Sequence, residues 1–229
     1  MKEREEQHRH RGGWLRETVF GLTDGLVTTL VFVLAISEVT LGKVVLIALG
    51  EMLAGAASMG LGAYLSARTE HAILAQRIAT ERYEITHEPA EEQAELRQIY
   101  YEKGMRGLLL DRVVAHLTAN QTRWLNAMIH DELGIVDLPE RPPWLQGCLV
   151  GSSFLMGALV PIVPFLLVLP FPQLWAFGIT VIAAFLLGVV KSRYTLQSPL
   201  VNGLEFLGII TAGAAIGVVI GRALAALTG

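Results

Sequence analysis

The sequence holds one cysteine, Cys148. An intramolecular disulfide framework and a Cys-rich zinc site are therefore both excluded. It has no basic excess. Lys and Arg number 18 against 21 Asp and Glu, a formal net charge of −3, which leaves no electrostatic footprint for nucleic acid. It has no phosphate-binding glycine loop, which argues against an ATP-driven pump. Cys148 has no base placed for it, so a nucleophilic hydrolase finds no supporting constellation. Charge itself is scarce. Asp, Glu, Lys and Arg make up 17 % of the 229 residues, against roughly 25 % in an ordinary soluble domain. Apolar residues are abundant, at 52 %, and they are concentrated rather than spread.

A membrane-crossing helix needs about 20 mostly apolar residues for a hydrocarbon core of about 30 Å. Five stretches qualify. Val19 to Leu41 contains only Asp24 and Glu38 as charges. Val44 to Ala67 contains Glu51. Trp144 to Leu169 and Phe171 to Val190 contain no charge. Val201 to Leu227 has Glu205 near its start and Arg222 near its end. The first stretch contains an acid and lacks a small-residue cleavage site, so it does not read as a signal peptide. Lys2, Arg4, Arg9, Arg11 and Arg16 precede span one, and Lys191 and Arg193 lie between spans four and five. The link between spans one and two holds only Lys43, and the turn Leu169-Pro170-Phe171-Pro172 has no basic residue. This asymmetry predicts a cytoplasmic N-terminus and a C-terminus on the opposite side. Trp14, Trp144 and Trp175 fall at span edges, where indole rings favour the interface.

Between spans two and three, Arg68 to Pro143 reads as soluble helix. No Gly or Pro interrupts Ala63 to Glu88, which predicts that span two continues outward as one long helix. Pro89 ends it or opens the next helix at its first turn. Ala90 to Tyr101 reads as a second helix stopped by Gly104, and Leu108 to Leu117 as a third. Asn120 is a candidate cap for a fourth, running to about Leu133 with Gly134 after it. The run from Leu138 to Pro143 connects back to the membrane. Acids crowd the early part: Glu70, Glu81, Glu84, Glu88, Glu91, Glu92, Glu95 and Glu102. Glu81, Glu84 and Glu88 share a helix face, where like charges repel unless a cation lies between them. The alternative is a solvated acidic face. Met128 and Glu132 are i, i+4 neighbours, a thioether beside a carboxylate that suits a borderline transition metal. The alternative makes Met128 core and Glu132 surface.

Two acids lie in the wrong solvent. Asp24 sits in Gly21-Leu-Thr-Asp-Gly25 and Glu51 in Gly50-Glu-Met-Leu-Ala-Gly55. A charge at the bilayer centre costs at least about 2.5–3.5 kcal/mol and usually lines a pathway or meets a partner. Neither span has Lys or Arg near its middle, which points to a cation or proton ligand. Met59 follows Glu51 by eight residues, about 12 Å along a helix and about 80° around it, so the two mark successive positions rather than one ion. The small residues of Ala54-Gly-Ala-Ala-Ser-Met-Gly-Leu-Gly62 allow close helix approach. Gly213, Gly217 and Gly221 repeat the small-xxx-small pattern in span five and read as helix packing.

These motifs resemble the vacuolar iron transporter family of Fe2+/H+ antiporters. The resemblance rests on Gly-Leu-Thr-Asp-Gly in span one and on Glu51 with Ala54-Gly-Ala-Ala-Ser-Met-Gly-Leu-Gly62-Ala-Tyr-Leu in span two. It continues through Glu81, Glu84, Glu92 and Glu95, then Met128-Ile-His-Asp-Glu-Leu-Gly134, and ends on Gly157-Ala-Leu-Val-Pro-Ile-Val-Pro164. It implies a homodimer of five-span subunits in the lipid membrane, with the path at the dimer interface. It implies Asp24, Glu51 and Met59 in that path, and Glu81, Glu84, Glu92, Glu95, Met128 and Glu132 as ligands of a cytoplasmic metal-binding domain. Ile129 departs from a second methionine usual in the plant members, which bears on affinity or metal choice.

The expected architecture is an all-α membrane protein with five transmembrane helices and a helical cytoplasmic insert between helices 2 and 3. Residues 1–67 hold the N-terminal arm and spans one and two, 68–143 the metal-binding domain, and 144–229 spans three to five. The expected function is export of a transition metal from the cytoplasm in exchange for protons, with Fe2+ as substrate and Mn2+, Co2+ or Zn2+ as further candidates. No permanent cofactor and no nucleic acid partner is expected. A prokaryotic inner membrane and a vacuolar membrane both fit. An enzyme is the rival class: Glu84-Ile-Thr-His87 is a Glu-x-x-His motif of di-iron carboxylate oxidases, although the second motif those sites need is missing. A membrane scaffold with an acidic docking domain is the third reading.

Overall fold

The computed structural model describes residues 2–36, 40–135, 141–194 and 198–228. Over these residues the chain forms eight helices. They are α1 (Lys2–Ala35), α2 (Leu41–His87), α3 (Pro89–Glu102), α4 (Gly107–Thr118), α5 (Gln121–Asp131), α6 (Pro143–Leu166), α7 (Pro172–Ser192) and α8 (Pro199–Thr228). Five contain stretches long and apolar enough to cross a membrane: Trp14–Ala35, Leu41–His87, Pro143–Leu166, Pro172–Ser192 and Pro199–Ala223. Helix is the form such stretches take, because in lipid every backbone N–H and C=O must be satisfied within the segment. The protein is a multi-pass integral membrane protein, all-helical, with the short helices α3–α5 inserted between its second and third spans.

The span boundaries differ in detail from the expected ones. Leu41 opens α2 rather than closing span one. The last helical bond of α1 region runs from the Ile36 N–H to the Phe32 carbonyl, and the Thr40 carbonyl already accepts from the Lys43 and Val44 N–H groups. The polar N-terminal arm is helical from Lys2 onward. Span three closes at Leu166 instead of Leu169, where Val168 takes a left-handed φ of 53° and breaks the helix. Glu38 and residues 138–140 of the expected connector lie outside the described residues.

The chain divides into two compact units. The first comprises Met1–Leu65 and Pro143–Gly229, and so holds α1, the first part of α2, and α6–α8. Its core gathers Leu26, Leu30, Val33, Val44, Ala48, Ile162, Phe165, Ala184, Phe206 and Ile210. Close approach of α1 to α6 depends on glycine. A Cβ on Gly25 would collide with the Phe154 carbonyl and stand 2.7 Å from the Ala158 nitrogen, while one on Gly157 would collide with the Leu22 carbonyl. The repeat in span five has the same use: a Cβ on Gly217 or Gly221 would stand 2.7 Å from the Val31 or the Ala35 carbonyl.

The second unit, Ser66–Pro142, holds the end of α2 and α3–α5. The long uninterrupted helix expected through Ala63–Glu88 is present, since α2 runs to His87. Pro89 opens α3 at its first position, where its missing N–H costs nothing. Gly104 ends α3 with φ of 97°. The Asn120 side chain accepts from the Arg123 N–H and caps α5, which stops at Asp131, two residues before the expected end. The core of this unit is Ile85, Leu96, Trp124, Leu125, Ala127, Met128, Ile129 and Ile135.

Candidate metal centre

Within the first unit, Asp24 on α1 and Glu51 on α2 are both half-buried. They are electrostatic neighbours. Each takes a hydroxyl from α1. The Thr28 Oγ1 donates to Asp24 Oδ1 at 3.4 Å, and the Thr29 Oγ1 donates to Glu51 Oε2 at 3.0 Å. Thr29 is fully buried. Its part in holding Glu51 escaped the sequence reading, although a Thr-Thr pair one turn after an intramembrane acid was the available signal. Met59 lies two turns beyond Glu51 and packs against Ala56, Phe154 and Ala158. The structure thus brings Asp24 and Glu51 together and leaves Met59 at a separate level of the same helix.

In the second unit, α2 and α3 are joined by the single residue Glu88. The reversal there sets Glu81 of α2 beside Glu92 of α3, eleven positions apart in the chain. Both are buried, at 3 % and 6 % exposure. Glu132, capping the end of α5, completes the group. One carboxylate oxygen from each of Glu81, Glu92 and Glu132 lies within 4.8 Å of the others. Ile85 and Leu96, one helical turn from Glu81 and Glu92, are buried beside them. This is why the carboxylates lose water.

The electrostatics follow from that burial. Desolvation pushes Glu81 up to about 8 from its ordinary 4.5, with the charges of Glu132 and Glu92 adding to it. Desolvation also raises Glu92 and Glu132, and the charges of Glu95 and Glu84 act on both. Glu81 is therefore the acid that holds a proton at neutral pH, and its O–H donates to the Glu92 carboxylate. Two buried oxygens, Glu81 Oε1 and Glu92 Oε2, find no hydrogen-bond partner. Buried polar atoms are usually satisfied. Two orphaned carboxylate oxygens, from α2 and α3, with the exposed Glu132 carboxylate beside them at the end of α5, are what a divalent cation would satisfy. Such a site can hold protons or a hard or borderline metal ion, and the two exclude each other.

The remaining expected ligands take different places. Glu84 is half-buried and Glu95 exposed, both close enough for their charges to reach Glu92 and Glu132. Met128 is fully enclosed in the apolar cluster, and Ile129 is buried there too. Asp131, beside Glu132, is engaged elsewhere: the Tyr100 hydroxyl donates to it at 2.7 Å and Lys103 forms an ion pair with it. Those two partners outweigh desolvation and lower its pKa, while the Tyr100 hydroxyl is pushed up to about 12 by desolvation first and by Asp131. His87 of the Glu-x-x-His motif is not a member of the carboxylate group. The exposed His87 ring stacks on Tyr83 at 3.9 Å, and its Nδ1 lies 2.9 Å from the Tyr83 carbonyl. Glu205 is exposed and pairs with Lys191 at 3.4 Å.

A model of the VIT family matches residues 15–222. The chain belongs to the VIT family. Its similarity extends to proteins named vacuolar iron transporter 1, from Arabidopsis thaliana at 30 % identity over 92 % of this chain and 86 % of that protein, and from Tulipa gesneriana at 28 % over 90 % and 85 %. The vacuolar iron transporter of Centaurea cyanus is 29 % identical over 97 % of this chain and 94 % of its own length. The matched range takes in both the intramembrane acids and the three-carboxylate cluster.

Proposed function

We propose that the protein carries Fe2+ out of the cytoplasm and across the membrane in exchange for protons. The observation that carries this reading is the meeting of Glu81, Glu92 and Glu132, two of them buried with orphaned oxygens, in a chain whose relatives are named for iron transport. The insert lies on the cytoplasmic side and its acids take up the metal there, with Glu84 and Glu95 as flanking charges and Met128 as the soft donor that favours a borderline ion over Mg2+ or Ca2+. Asp24 and Glu51 accept the ion within the membrane, and Met59 marks a later position on the same path. A carboxylate in a low dielectric holds either a proton or the metal. Protons entering from an acidic far side displace the metal there and leave toward the cytoplasm.

The functional unit in this reading is a homodimer. Ala54, Ala57, Ser58, Leu61 and Gly62 of α2 are exposed in the single chain, and small residues on a span are a helix-packing surface. The test is Fe2+ uptake by proteoliposomes under an imposed pH gradient, with a pH-sensitive dye reporting counter-moving protons. Metal-driven alkalinisation of the far side supports exchange. Uptake indifferent to the gradient, or unchanged in Asp24→Asn and Glu51→Gln, would remove the mechanism. Oxygen consumption on adding Fe2+ would point to a ferroxidase instead.

A further inference from the structure

A cavity of about 810 Å³ lies among α1, α7 and α8, away from the acids of the path. Its walls are mostly apolar, with Leu34, Phe177, Ala214 and Ala215 among them, and three polar side chains join them: Thr211, whose hydroxyl donates to the Leu207 carbonyl of its own helix, Gln173 at the start of α7 and Arg222 near the end of α8. Helix α8 lines the cavity from Thr211 to Ala225, about 21 Å of helix at 1.5 Å per residue. That is longer than one leaflet of a hydrocarbon core about 30 Å thick. Leu174 and Val218 are exposed, at 72 % and 38 %, so the cavity opens sideways from the bundle. Small residues form its floor, and the helices that bound it are membrane spans. Its natural surroundings are lipid chains.

Arg222 decides which lipid. It stands inside the candidate span Pro199–Ala223, is exposed, and makes no ion pair with any described residue. A guanidinium near the end of a span reaches the headgroup level, where an anionic group can meet it. It presents a planar fork of donors suited to phosphate, and the Gln173 amide adds a further donor on the same cavity.

We propose that this groove is a binding site for an anionic phospholipid, one acyl chain lying along α8 and the headgroup phosphate on Arg222. The site depends on the five-span fold and not on the metal reading, so either can fail alone.

The test titrates the full-length protein in mild detergent with phosphatidylglycerol or phosphatidylcholine of matched chains, counting bound lipid by native mass spectrometry. The wild type should hold phosphatidylglycerol about tenfold more tightly, the ratio one charge-assisted contact supplies. Arg222→Gln should erase the preference. Ala215→Phe, which fills an exposed lipid-facing position, should weaken both lipids. Equal affinity for the two lipids in the wild type overturns the proposal, as does a preference that survives Arg222→Gln or binding untouched by Ala215→Phe. Ala215→Cys in a Cys148→Ser background supplies a second check in native membranes. Disulfide-linked dimers there would show that a second copy covers the groove, and would equally overturn it.

Discussion

Glu81 titrates at about 8 in the empty site, and a bound divalent ion requires it ionised. Metal binding must therefore expel its proton. The sign follows directly: the empty state binds more protons than the loaded one below pH 8, so affinity rises with pH up to about 8 and levels off above it. With Glu81 at about 8, the empty site carries about 0.9 proton on this residue at pH 7 and about 0.1 at pH 9. The same titration makes apparent affinity about tenfold higher at pH 7 than at pH 6, but only about twofold higher at pH 9 than at pH 8. Glu92 and Glu132, raised by the same burial, add to the count in the same direction. Calorimetric titration of the purified full chain with Mn2+, which resists oxidation, measures the release when run in buffers of different ionisation heat. Glu81→Gln keeps the side-chain shape and removes the titrating proton, so release at pH 7 should fall in that variant. A proton count that stays flat from pH 7 to 9, or that Glu81→Gln leaves unchanged, would refute the assignment of the proton to Glu81.

Asp24→Asn and Glu51→Gln should each lower Fe2+ flux into proteoliposomes at least about tenfold, the scale on which losing one charged ligand contact acts, while Mn2+ binding to the insert persists by calorimetry. Met128→Leu conserves volume in the apolar cluster and should keep the melting temperature while weakening Fe2+ relative to Mg2+. Met128→Ala should cost about 2–5 kcal/mol of stability in denaturant titration, from the cavity it leaves. Asn120→Ala removes the cap that receives the Arg123 N–H and should destabilise α5 by about 1 kcal/mol, read as faster amide exchange over 121–131. Gly157→Val drives a side chain into the Leu22 backbone and should cost about 1–3 kcal/mol or more, seen as loss of the monodisperse peak on size exclusion.

The spans and the insert were legible because they follow from local rules. Twenty apolar residues must be helix in lipid, Asn120 and Pro89 have capping and first-turn chemistry of their own, and an absence of Gly and Pro through Ala63–Glu88 leaves nothing to stop α2. Helix ends were less legible, as at Leu41 and Leu166, because an apolar residue reads alike on either side of a turn. The composition of the acidic cluster was visible in the sequence, but its geometry was not. Spacing placed Glu81 with Glu84 and Glu88 on one helix face. The structure instead pairs Glu81 with Glu92 across the reversal at Glu88, and brings in Glu132 from α5. That choice is tertiary: it depends on which residues the apolar packing of Ile85, Leu96 and Met128 sets opposite each other. The pair Thr28-Thr29 marks hydroxyls one turn after Asp24, but a threonine on a helix does not announce which carboxylate it meets, and Thr29 reaches Glu51 on α2.

Eight acids among the described residues divide by what faces them. Asp111, Asp131 and Glu205 each hold a basic side chain, from Arg97, Lys103 and Lys191. A carboxylate so paired already has its counter-charge, and a metal would have to displace an ammonium or guanidinium to reach it. Glu51 faces instead the neutral hydroxyl of Thr29 and the acid Asp24. Glu81 and Glu92 face each other and Glu132. A hydroxyl donates to a carboxylate without opposing a cation's approach, and a second carboxylate repels until a proton or a cation enters. Both arrangements leave the negative charge open to a mobile partner. The scarcity of basic residues near these five acids is therefore the physical condition for reversible loading, and a lysine or arginine placed among them would lock the site in a permanently neutralised state.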